Sequence, residues 1–300
     1  MIYIVTAMYA EAHPFITRFQ LKKDLSHTHF QVFLNGERSL CLIISGTGSL
    51  PAAAAVSSIC TEYKAGSPES EDFLLNVGVC GQIGKESVQD KEKTCHTGTL
   101  FLCNKISELS TGKTFYPDLL YRHSFAEAQI VTGPRPYVQM APAKTNFPEE
   151  ADFYLYDMEA AAVYQAGSYY LGPHQMSFLK TVSDDGNYKD VTPRQVEELI
   201  GRNMENIAEY IENLQTILRE APRDEFFQDH ALQKQLEMLC LDLHCSRTMS
   251  ESLRQYVRCC TLSGVDYGSV VEEMYREGKL PCKDKREGKQ CFEELKKRLL

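Results

Sequence analysis

The run Leu40-Cys-Leu-Ile-Ile-Ser-Gly-Thr-Gly-Ser-Leu-Pro-Ala-Ala-Ala-Ala55 joins an apolar segment to an alanine-rich one through two glycines. The apolar, β-branched beginning predicts a buried strand, and Pro51 suits the first turn of a helix, where its missing N–H needs no partner. Gly46 and Gly48 allow the backbone to approach a ligand at the helix N-terminus, with a plain tight turn as the alternative. The third glycine of a dinucleotide-binding motif is absent, so the run predicts a strand, a loop and a helix without a dinucleotide site.

The same alternation of strand-like and helix-like segments continues on both sides of this run, up to about residue 218. It predicts an α/β domain with a central sheet flanked by helices. Asn35-Gly36 predicts a hairpin with a type I′ turn, so the sheet should be mixed. The predicted strands cover residues 3–6, 30–34, 40–45, 73–77, 99–103, 129–131, 153–156 and 176–182. Predicted helices start at residue 9 and cover residues 159–170 and 193–218, and the glycine-rich residues 78–84 are predicted to form a loop.

The end of the chain is predicted to be a separate helical extension. Ala221-Pro222-Arg223-Asp224 predicts a linker between residues 1–220 and residues 221–300, since proline ends the preceding helical pattern. Residues 232–256 are expected to be helical and residues 283–300 partly helical. Six of the 11 cysteines lie in this extension, and none forms a Cys-x-x-Cys pair. This pattern favours reduced thiols over a disulfide framework or a zinc site, so no metal is predicted.

Composition limits the partners that the chain can have. A formal charge of -9 and a pI near 5.5 argue against nucleic acid and against an anionic membrane, since both reward a basic surface. The first residues lack the positive charge and the apolar stretch of a signal peptide, and no window is apolar enough to span a membrane. We therefore expect a soluble, cytoplasmic protein with a small neutral or cationic ligand.

Three acidic residues occupy positions where a predicted strand ends or a helix begins. They are Glu11, Glu159 and Asp184. Ligands of open α/β sheets bind at such positions. Any one of these residues alone would more often be a helix cap or a solvated carboxylate. Together with the glycine-rich segments, they predict one ligand site.

Six motifs in this order resemble the nucleoside phosphorylase superfamily, and within it the methylthioadenosine/S-adenosylhomocysteine (MTA/SAH) nucleosidases. The resemblance runs from Met1 to about Leu218. It is carried by Ala7-Met8-x-x-Glu11, Ser45-Gly46-x-Gly48, Asn76-x-Gly78-x-x-Gly81, Val131-Thr132-Gly133, Met158-Glu159-Ala160-x-Ala162 and Ser183-Asp184. Residues 221–300 have no counterpart in the family.

The resemblance implies a nucleoside phosphorylase-like fold and hydrolysis of the N-glycosidic bond of an adenine-type purine nucleoside. The implied substrates are methylthioadenosine, S-adenosylhomocysteine or 5′-deoxyadenosine, as in methionine salvage, with adenosine and inosine left open. It also implies an enzyme without a cofactor, and a homodimer in which the partner closes one edge of the pocket.

The resemblance assigns roles to the three carboxyl groups. Asp184 would protonate the purine at N7, and Ser183 would help to hold it. Glu159 would bind the ribose 2′ and 3′ hydroxyls, because one carboxylate accepts two hydrogen bonds. Glu11 would take a proton from the attacking water.

Further residues are implied to contact the substrate. Met8, Gly78 and Met158 would lie against the nucleoside, with a core position as the alternative for Met158. Tyr137-Val138 stands where the nucleosidases have Phe-Ile against the base, although Tyr137 among its prolines could equally cover the loop. The chain departs from the family at Lys180, where the nucleosidases carry arginine before the acid.

Two other functions remain open from the sequence. Phosphate-using relatives have arginines at the positions of Glu11 and near Asn76, so a phosphorylase would need its phosphate residues elsewhere. A non-catalytic nucleoside-binding regulatory protein is the third hypothesis. It is suggested by Lys180, by Val79 in place of a serine and by the extension, and opposed by the three retained carboxyl groups.

Overall fold

The computed structural model describes residues 1–26, 29–63, 65, 72–84, 97–137, 153–187, 189, 191–220 and 230–299. The chain divides into two compact units, Met1–Ala221 and Pro222–Leu300. The predicted linker, residues 221–224, lies outside the described residues. No helix in the described part of the chain is both long and apolar enough to cross a membrane.

The first unit alternates strands and helices. Its strands are β1 (Ile2–Thr6), β2 (Lys22–Asp24), β3 (Gln31–Leu34), β4 (Leu40–Ile44), β5 (Phe73–Gly84), β6 (Leu100–Glu108), β7 (Thr114–Phe115), β8 (Ala126–Thr132), β9 (Phe153–Asp157) and β10 (Met176–Asp184). Its helices are α1 (Tyr9–Arg18), α2 (Ser49–Glu62), α3 (Ala160–Gly167), α4 (Pro193–Arg202) and α5 (Met204–Glu220). The predicted class, a mixed central sheet flanked by helices with a helical C-terminal part, is confirmed.

The strands form one mixed sheet in the order β10-β6-β8-β9-β5-β1-β4-β3-β2, with β7 paired to β6. The long strand β5 is the junction: it pairs in parallel with β1 and β10, and its last residues pair antiparallel with β9. Since β10 also pairs with β6, the strands β5, β10, β6, β8 and β9 close into a ring. The carboxyl ends of β1, β4 and β10 meet at one edge of the sheet because these strands run in the same direction.

Helices cover both faces of the sheet, which explains why strand β1 is buried on both sides. In β1, Tyr3 and Val5 belong to the hydrophobic cluster that contains residues of α2 and α3. Ile2 and Ile4 point the other way, into the cluster that contains residues of α1 and α5. Because successive side chains of a strand point to opposite faces of the sheet, β1 contributes to the hydrophobic clusters on both faces.

The predicted loop at residues 78–84 is wrong, because β5 continues through these residues to Gly84. Their backbone has strand partners on two sides, β10 as far as Gly81 and β9 from Gly81 onward. Glycine serves here to leave room for neighbouring side chains instead of making a turn. A Cβ on Gly78 would lie 2.7 Å from Oε1 of Glu11.

The hairpin between β3 and β4 is present, but its predicted type I′ turn at Asn35-Gly36 is wrong. The positive φ falls on Arg38, at 54°, and Gly36 does not share it. The Asn35 side-chain oxygen accepts hydrogen bonds from the backbone N–H groups of Ser39 and Leu40, at 2.9 and 3.0 Å. This side chain organises a longer loop, as asparagine often does in turns.

The single helix predicted for residues 193–218 is two helices, α4 and α5. Asn203 separates them, and its side-chain amide donates to the carbonyl oxygens of Gly98 and Leu199, at 2.9 and 3.2 Å. Such side-chain bonds compete with the helical pattern.

The described part of the second unit is helical. Its helices are α6 (His230–Asp242), α7 (Arg247–Ser263), α8 (Tyr267–Arg276) and α9 (Lys285–Leu299). Residues 232–256, predicted as one helical segment, are divided by a turn between α6 and α7, and α8 was not predicted. The unit has its own hydrophobic cluster, which includes Leu236, Leu253 and Leu295.

Candidate active site

A cavity of about 260 Å³ lies where β1, β9 and β10 end and α4 begins. Seven of the predicted site residues line it: Met8, Glu11, Tyr137, Met158, Glu159, Ser183 and Asp184. Gly78 and Lys180 are not among the described lining residues, and Val138 lies outside the described residues. The three carboxyl groups predicted from separate motifs therefore share one cavity.

Glu11 is buried beside the end of β1, with an exposed fraction of 2%. Its Oε2 accepts hydrogen bonds from the backbone N–H groups of Ala7 and Met8, at 2.8 and 3.0 Å. Its Oε1 accepts one from Val79, at 2.9 Å. Burial raises the pKa of Glu11, while these three hydrogen bonds and the charge of Lys180 oppose the rise. The carboxyl group is thus fixed in position and is more basic than an exposed glutamate.

Gly78 supports Glu11 from behind instead of contacting the cavity. Its missing side chain leaves the space that Oε1 of Glu11 occupies. The position was predicted as a substrate contact, and the structure instead places it against the carboxylate. Any side chain at position 78 would push Glu11 away from the N–H of Val79.

Glu159 stands at the N-terminus of α3, next to Met158, and is 8% exposed. Its Oε1 accepts a hydrogen bond of 2.6 Å from the N–H of Gly48, in the glycine loop that follows β4. Burial, and then the negative charge of Asp157, raises the pKa of Glu159 to about 7. The glycine loop of the fold-determining run therefore reaches the site by binding this carboxyl group.

Asp184 ends β10 and is held by its neighbours in the chain. Its Oδ1 accepts from the N–H of Gly186 at 2.9 Å, and its Oδ2 accepts from the Ser183 hydroxyl at 2.7 Å. The same hydroxyl lies 3.1 Å from the carbonyl oxygen of Cys80 on β5. Ser183 therefore fixes the carboxyl group relative to the neighbouring strand.

Lys180 is buried behind the cavity, at 2% exposure, instead of lining it. Its Nζ lies 2.9 Å from Oδ2 of Asp157, a lining residue that the sequence did not single out. Asp157 also accepts hydrogen bonds from the Thr132 hydroxyl at 2.7 Å and from the N–H of Ala160 at 2.9 Å. The Asp157, Glu159 and Glu11 charges raise the pKa of Lys180 against the effect of burial. Lys180 is therefore a cation at all ordinary pH values, and its nearest partner is Asp157.

Aromatic and apolar groups form the other wall of the cavity. The ring of Tyr137 packs edge-on against Tyr156, with ring centres 5.3 Å apart, and the Tyr156 hydroxyl donates to the carbonyl oxygen of Arg135. Gly186, two residues beyond Asp184, lies against the Tyr137 ring. Tyr137 and Asp184 therefore line the same cavity.

The sequence did not indicate the contribution of α4. Val191, Thr192, Pro193 and Val196 line the cavity, and Val196 is buried. Val196 belongs to the single helix predicted for residues 193–218, and no role in the site was predicted for it. The signal that was available is Thr192-Pro193, a helix start whose threonine side chain accepts from the N–H of Gln195.

The cavity is acidic. Glu11, Asp157, Glu159 and Asp184 all line it, and none of its described lining residues is lysine, arginine or histidine. Asn76, the other position relevant to phosphate, is buried and donates to the carbonyl oxygen of Val5. The described residues therefore offer an anion no cationic partner in this cavity.

The solved structures that this chain resembles in fold include MTA/SAH nucleosidases and a futalosine hydrolase. The MTA/SAH nucleosidase of Neisseria meningitidis, in complex with methylthio-immucillin-A, is 18% identical, with 71% of this chain and 97% of that chain covered and a TM-score of 0.52. The nucleosidase of Colwellia psychrerythraea, in complex with adenine, is 17% identical, with 72% and 95% covered and a TM-score of 0.53. Futalosine hydrolase of Helicobacter pylori is 13% identical, with 70% and 97% covered and a TM-score of 0.52.

The chain has the nucleosidase fold. The resemblance inferred from the six motifs is thus confirmed at the level of the fold. No family model matches the chain, and neither does any curated protein sequence. Because an identity below 20% establishes the shared nucleosidase fold alone, the chemistry has to be argued from the residues of the cavity.

Proposed function

We propose that the chain hydrolyses the N-glycosidic bond of an adenine-type purine nucleoside. The observation that carries this proposal is the convergence of Glu11, Glu159 and Asp184 on one cavity. Cleavage of this bond builds positive charge on the ribose and negative charge on the base. A catalyst needs an acid at the base, negative charge near the sugar and a base for water, and three carboxyl groups can fill these roles.

Glu159 is the proposed sugar-binding residue. One of its oxygens accepts from Gly48 and the other from the more distant N–H of Met158, which leaves one lone pair on each oxygen for a ribose hydroxyl. Met158 lines the cavity beside it and would cover one face of the ring. The pKa of about 7 means that burial and the charge of Asp157 disfavour the ionised form of Glu159. Ribose hydroxyls that donate to the carboxylate, and the positive charge that develops on the sugar, would stabilise that form.

Glu11 is the proposed general base. The three N–H groups that bind it keep it in one orientation, which a base needs if it is to meet a single water molecule. Burial raises its pKa, and a base becomes more effective as its pKa approaches the working pH. Gly78 supplies the space that this orientation requires.

Asp184 is the proposed acid at purine N7. It lines the same cavity as Tyr137, the proposed stacking partner of the base. Protonating the purine turns a poor anionic leaving group into a neutral one. Ser183 is the proposed positioning residue, since its hydroxyl joins Asp184 to the backbone of β5.

Water is favoured over phosphate by the charge of the cavity. A phosphate dianion would meet Glu11 and Asp157 with no lysine or arginine among the described lining residues, and Lys180 is engaged behind Asp157. Two like charges about 4 Å apart repel by several kcal/mol in a poorly solvated site, where the effective dielectric constant is low. This observation supports hydrolysis over the phosphorylase alternative.

The proposed substrates are methylthioadenosine, S-adenosylhomocysteine and 5′-deoxyadenosine. Methylthioadenosine and S-adenosylhomocysteine are suggested by the similar solved structures, two of which are MTA/SAH nucleosidases, and 5′-deoxyadenosine is suggested by the resemblance of the motifs. A homodimer whose second copy closes one edge of the cavity belongs to the same proposal.

The test is a panel of nucleosides incubated with the purified chain, with and without phosphate, and assayed for free base. The panel contains the three proposed substrates together with adenosine and inosine, and Asp184→Asn prepared in parallel controls for contaminating activity. We expect free adenine without added phosphate. Release that requires phosphate and yields ribose 1-phosphate would establish a phosphorylase, and binding of adenosine analogues with no base released over hours would establish a binding protein.

A further inference from the structure

The turn between α6 and α7 brings two cysteines of the second unit together. The N–H of Cys245 donates to the carbonyl oxygen of Cys240 at 2.9 Å, and the N–H of His244 donates to Leu241 at 3.0 Å. His244 has a φ of 48°, in the left-handed region. These features define a Schellman motif, in which the first and last residues of the turn come into side-chain contact. Here both of those residues carry thiols.

The two thiols interact with each other and with a hydroxyl group. The Schellman motif places Cys245 beside Cys240, and the Cys240 sulfur lies 2.9 Å from the Ser250 hydroxyl of α7. Hydrogen bonds from Cys245 and Ser250, together with the charge of Arg254, lower the pKa of Cys240. Both cysteines are partly exposed. This is the environment of a thiol that reacts, in contrast to that of a buried structural cysteine.

A second pair of cysteines in the same unit has the opposite character. Cys282 and Cys291 are buried, and both thiols donate to the carbonyl oxygen of Lys279 at 3.5 Å. A carbonyl acceptor favours the protonated thiol, and burial raises the pKa of Cys282 to about 12. This pair is therefore expected to be inert, which makes it an internal comparison for the first.

We propose that Cys240 and Cys245 form a dithiol that low-molecular-weight disulfides, such as glutathione disulfide, oxidise to an intramolecular disulfide. The Cys240 thiolate attacks one sulfur of glutathione disulfide, forming a mixed disulfide and releasing one glutathione. Cys245, as the thiolate, then attacks the Cys240 sulfur and releases the second glutathione. Two protein thiols lose two electrons and two protons, and one glutathione disulfide becomes two glutathione thiols.

The test uses the full chain incubated with glutathione disulfide, followed by alkylation of the remaining thiols and peptide mapping by mass spectrometry. We expect the peptide that contains both cysteines to escape alkylation and to be lighter by two hydrogens. We expect Cys240 to react with glutathione disulfide roughly tenfold faster than the exposed Cys259 does, because its thiolate is stabilised. Cys282 and Cys291 should stay reduced, so that both are alkylated once the chain has been unfolded.

Serine variants separate the two steps. In Cys245→Ser, the glutathione adduct should accumulate on Cys240, because no second thiol resolves it. In Cys240→Ser, Cys245 should stay largely unmodified, and Cys259→Ser should leave the disulfide unchanged. Far-ultraviolet circular dichroism checks that each variant is folded. Two results for the wild-type chain would overturn the proposal. One is that Cys240 and Cys245 are alkylated as readily as Cys259 after treatment with glutathione disulfide. The other is a stable glutathione adduct on Cys240.

Discussion

Glu11, Glu159 and Asp184 differ in their hydrogen-bond partners, and the partners suit different tasks. Glu11 accepts three backbone N–H bonds, which stabilise its ionised form in a buried position. Asp184 accepts from a hydroxyl group and one N–H. Glu159 has Gly48 and the more distant N–H of Met158, at 3.3 Å, which leaves it the most dependent on a ligand.

Asp184→Asn should lower turnover by at least about 100-fold, because general acid catalysis contributes about that much and an amide is no acid. Its hydrogen bonds to Ser183 and Gly186 can be kept, so the fold should be unchanged. Release of free base under saturating nucleoside measures the effect. Asp185→Asn, an exposed neighbour outside the cavity lining, is the matched control and should be near normal. Near-normal turnover in Asp184→Asn would remove this residue from the mechanism.

Glu11→Gln should abolish hydrolysis but retain ligand binding. The amide oxygen can still accept from Val79 or Ala7, whereas the group no longer takes a proton from water. Isothermal titration with an adenosine analogue and the free-base assay give the two readouts. If binding is lost along with turnover, Glu11 holds the substrate instead of activating water.

Glu159 should make folding less favourable as pH rises. Its pKa in the folded chain, about 7, lies above the ordinary value of 4.5, so the folded state binds the proton more tightly. The unfolding free energy should fall between about pH 4.5 and 7, by at most about 3 kcal/mol. Glu159→Gln should lack this fall, which urea unfolding at pH 5 and pH 8 measures. Glu209→Gln, at an exposed position, is the control, and parallel pH profiles for wild type and Glu159→Gln would contradict the assignment.

At the scale of elements, the site depends on contacts between the ends of strands. Lys180 on β10 pairs with Asp157 at the end of β9, and Asp157 in turn binds the first N–H of α3 and Thr132 at the end of β8. The start of α3, which carries Glu159, is therefore tied to two strands through one buried carboxylate. The lysine found where the nucleosidases have arginine is part of this connection.

Lys180→Met should destabilise the first unit by about 3–5 kcal/mol, because it leaves Asp157 buried without its cation. Asp157→Asn added to Lys180→Met should recover much of that loss, since the uncompensated charge is gone. Guanidinium unfolding of the two variants and the wild type measures both effects. A loss below about 1 kcal/mol in the single variant would show that the pair contributes little.

At the scale of the molecule, the two units have separate cores. The clusters on the two faces of the sheet contain residues of the first unit, and the third cluster contains only residues from 232 to 299. Among the residues that the structure describes, none belongs to both a cluster of the sheet and the cluster of the second unit. We therefore expect two unfolding transitions.

Leu253→Ala should lower the free energy of unfolding of one transition by about 2–5 kcal/mol, the usual effect of truncating a buried leucine. The other transition should be unchanged. Leu75→Ala, in the core of the first unit, is the matched variant and should shift the opposite transition. Calorimetry of the full chain resolves the two, and the free-base assay should be normal in Leu253→Ala. A single transition that both variants shift equally would contradict independent cores.

Local patterns in the sequence were sufficient for the architecture of the first unit and for its three carboxyl groups. The strand, glycine loop and helix at residues 40–55 follow from side-chain period and from the properties of proline and glycine, which act within a few residues. The short motifs around Glu11, Glu159 and Asp184 could likewise be found without knowing how the chain folds.

What the tertiary structure decided is which distant residues meet. The N–H of Gly48 donates to Glu159, 111 positions away, and the N–H of Val79 donates to Glu11, 68 positions away. Lys180 pairs with Asp157 behind the cavity, although it was predicted to contact the substrate. The same holds for the continuation of β5 through its glycines, which needs β9 and β10 as partners. Side-chain period and turn propensity extend over only a few residues, whereas the packing of the whole sheet determines these contacts. The contacts therefore follow from the tertiary structure and not from any local pattern in the sequence.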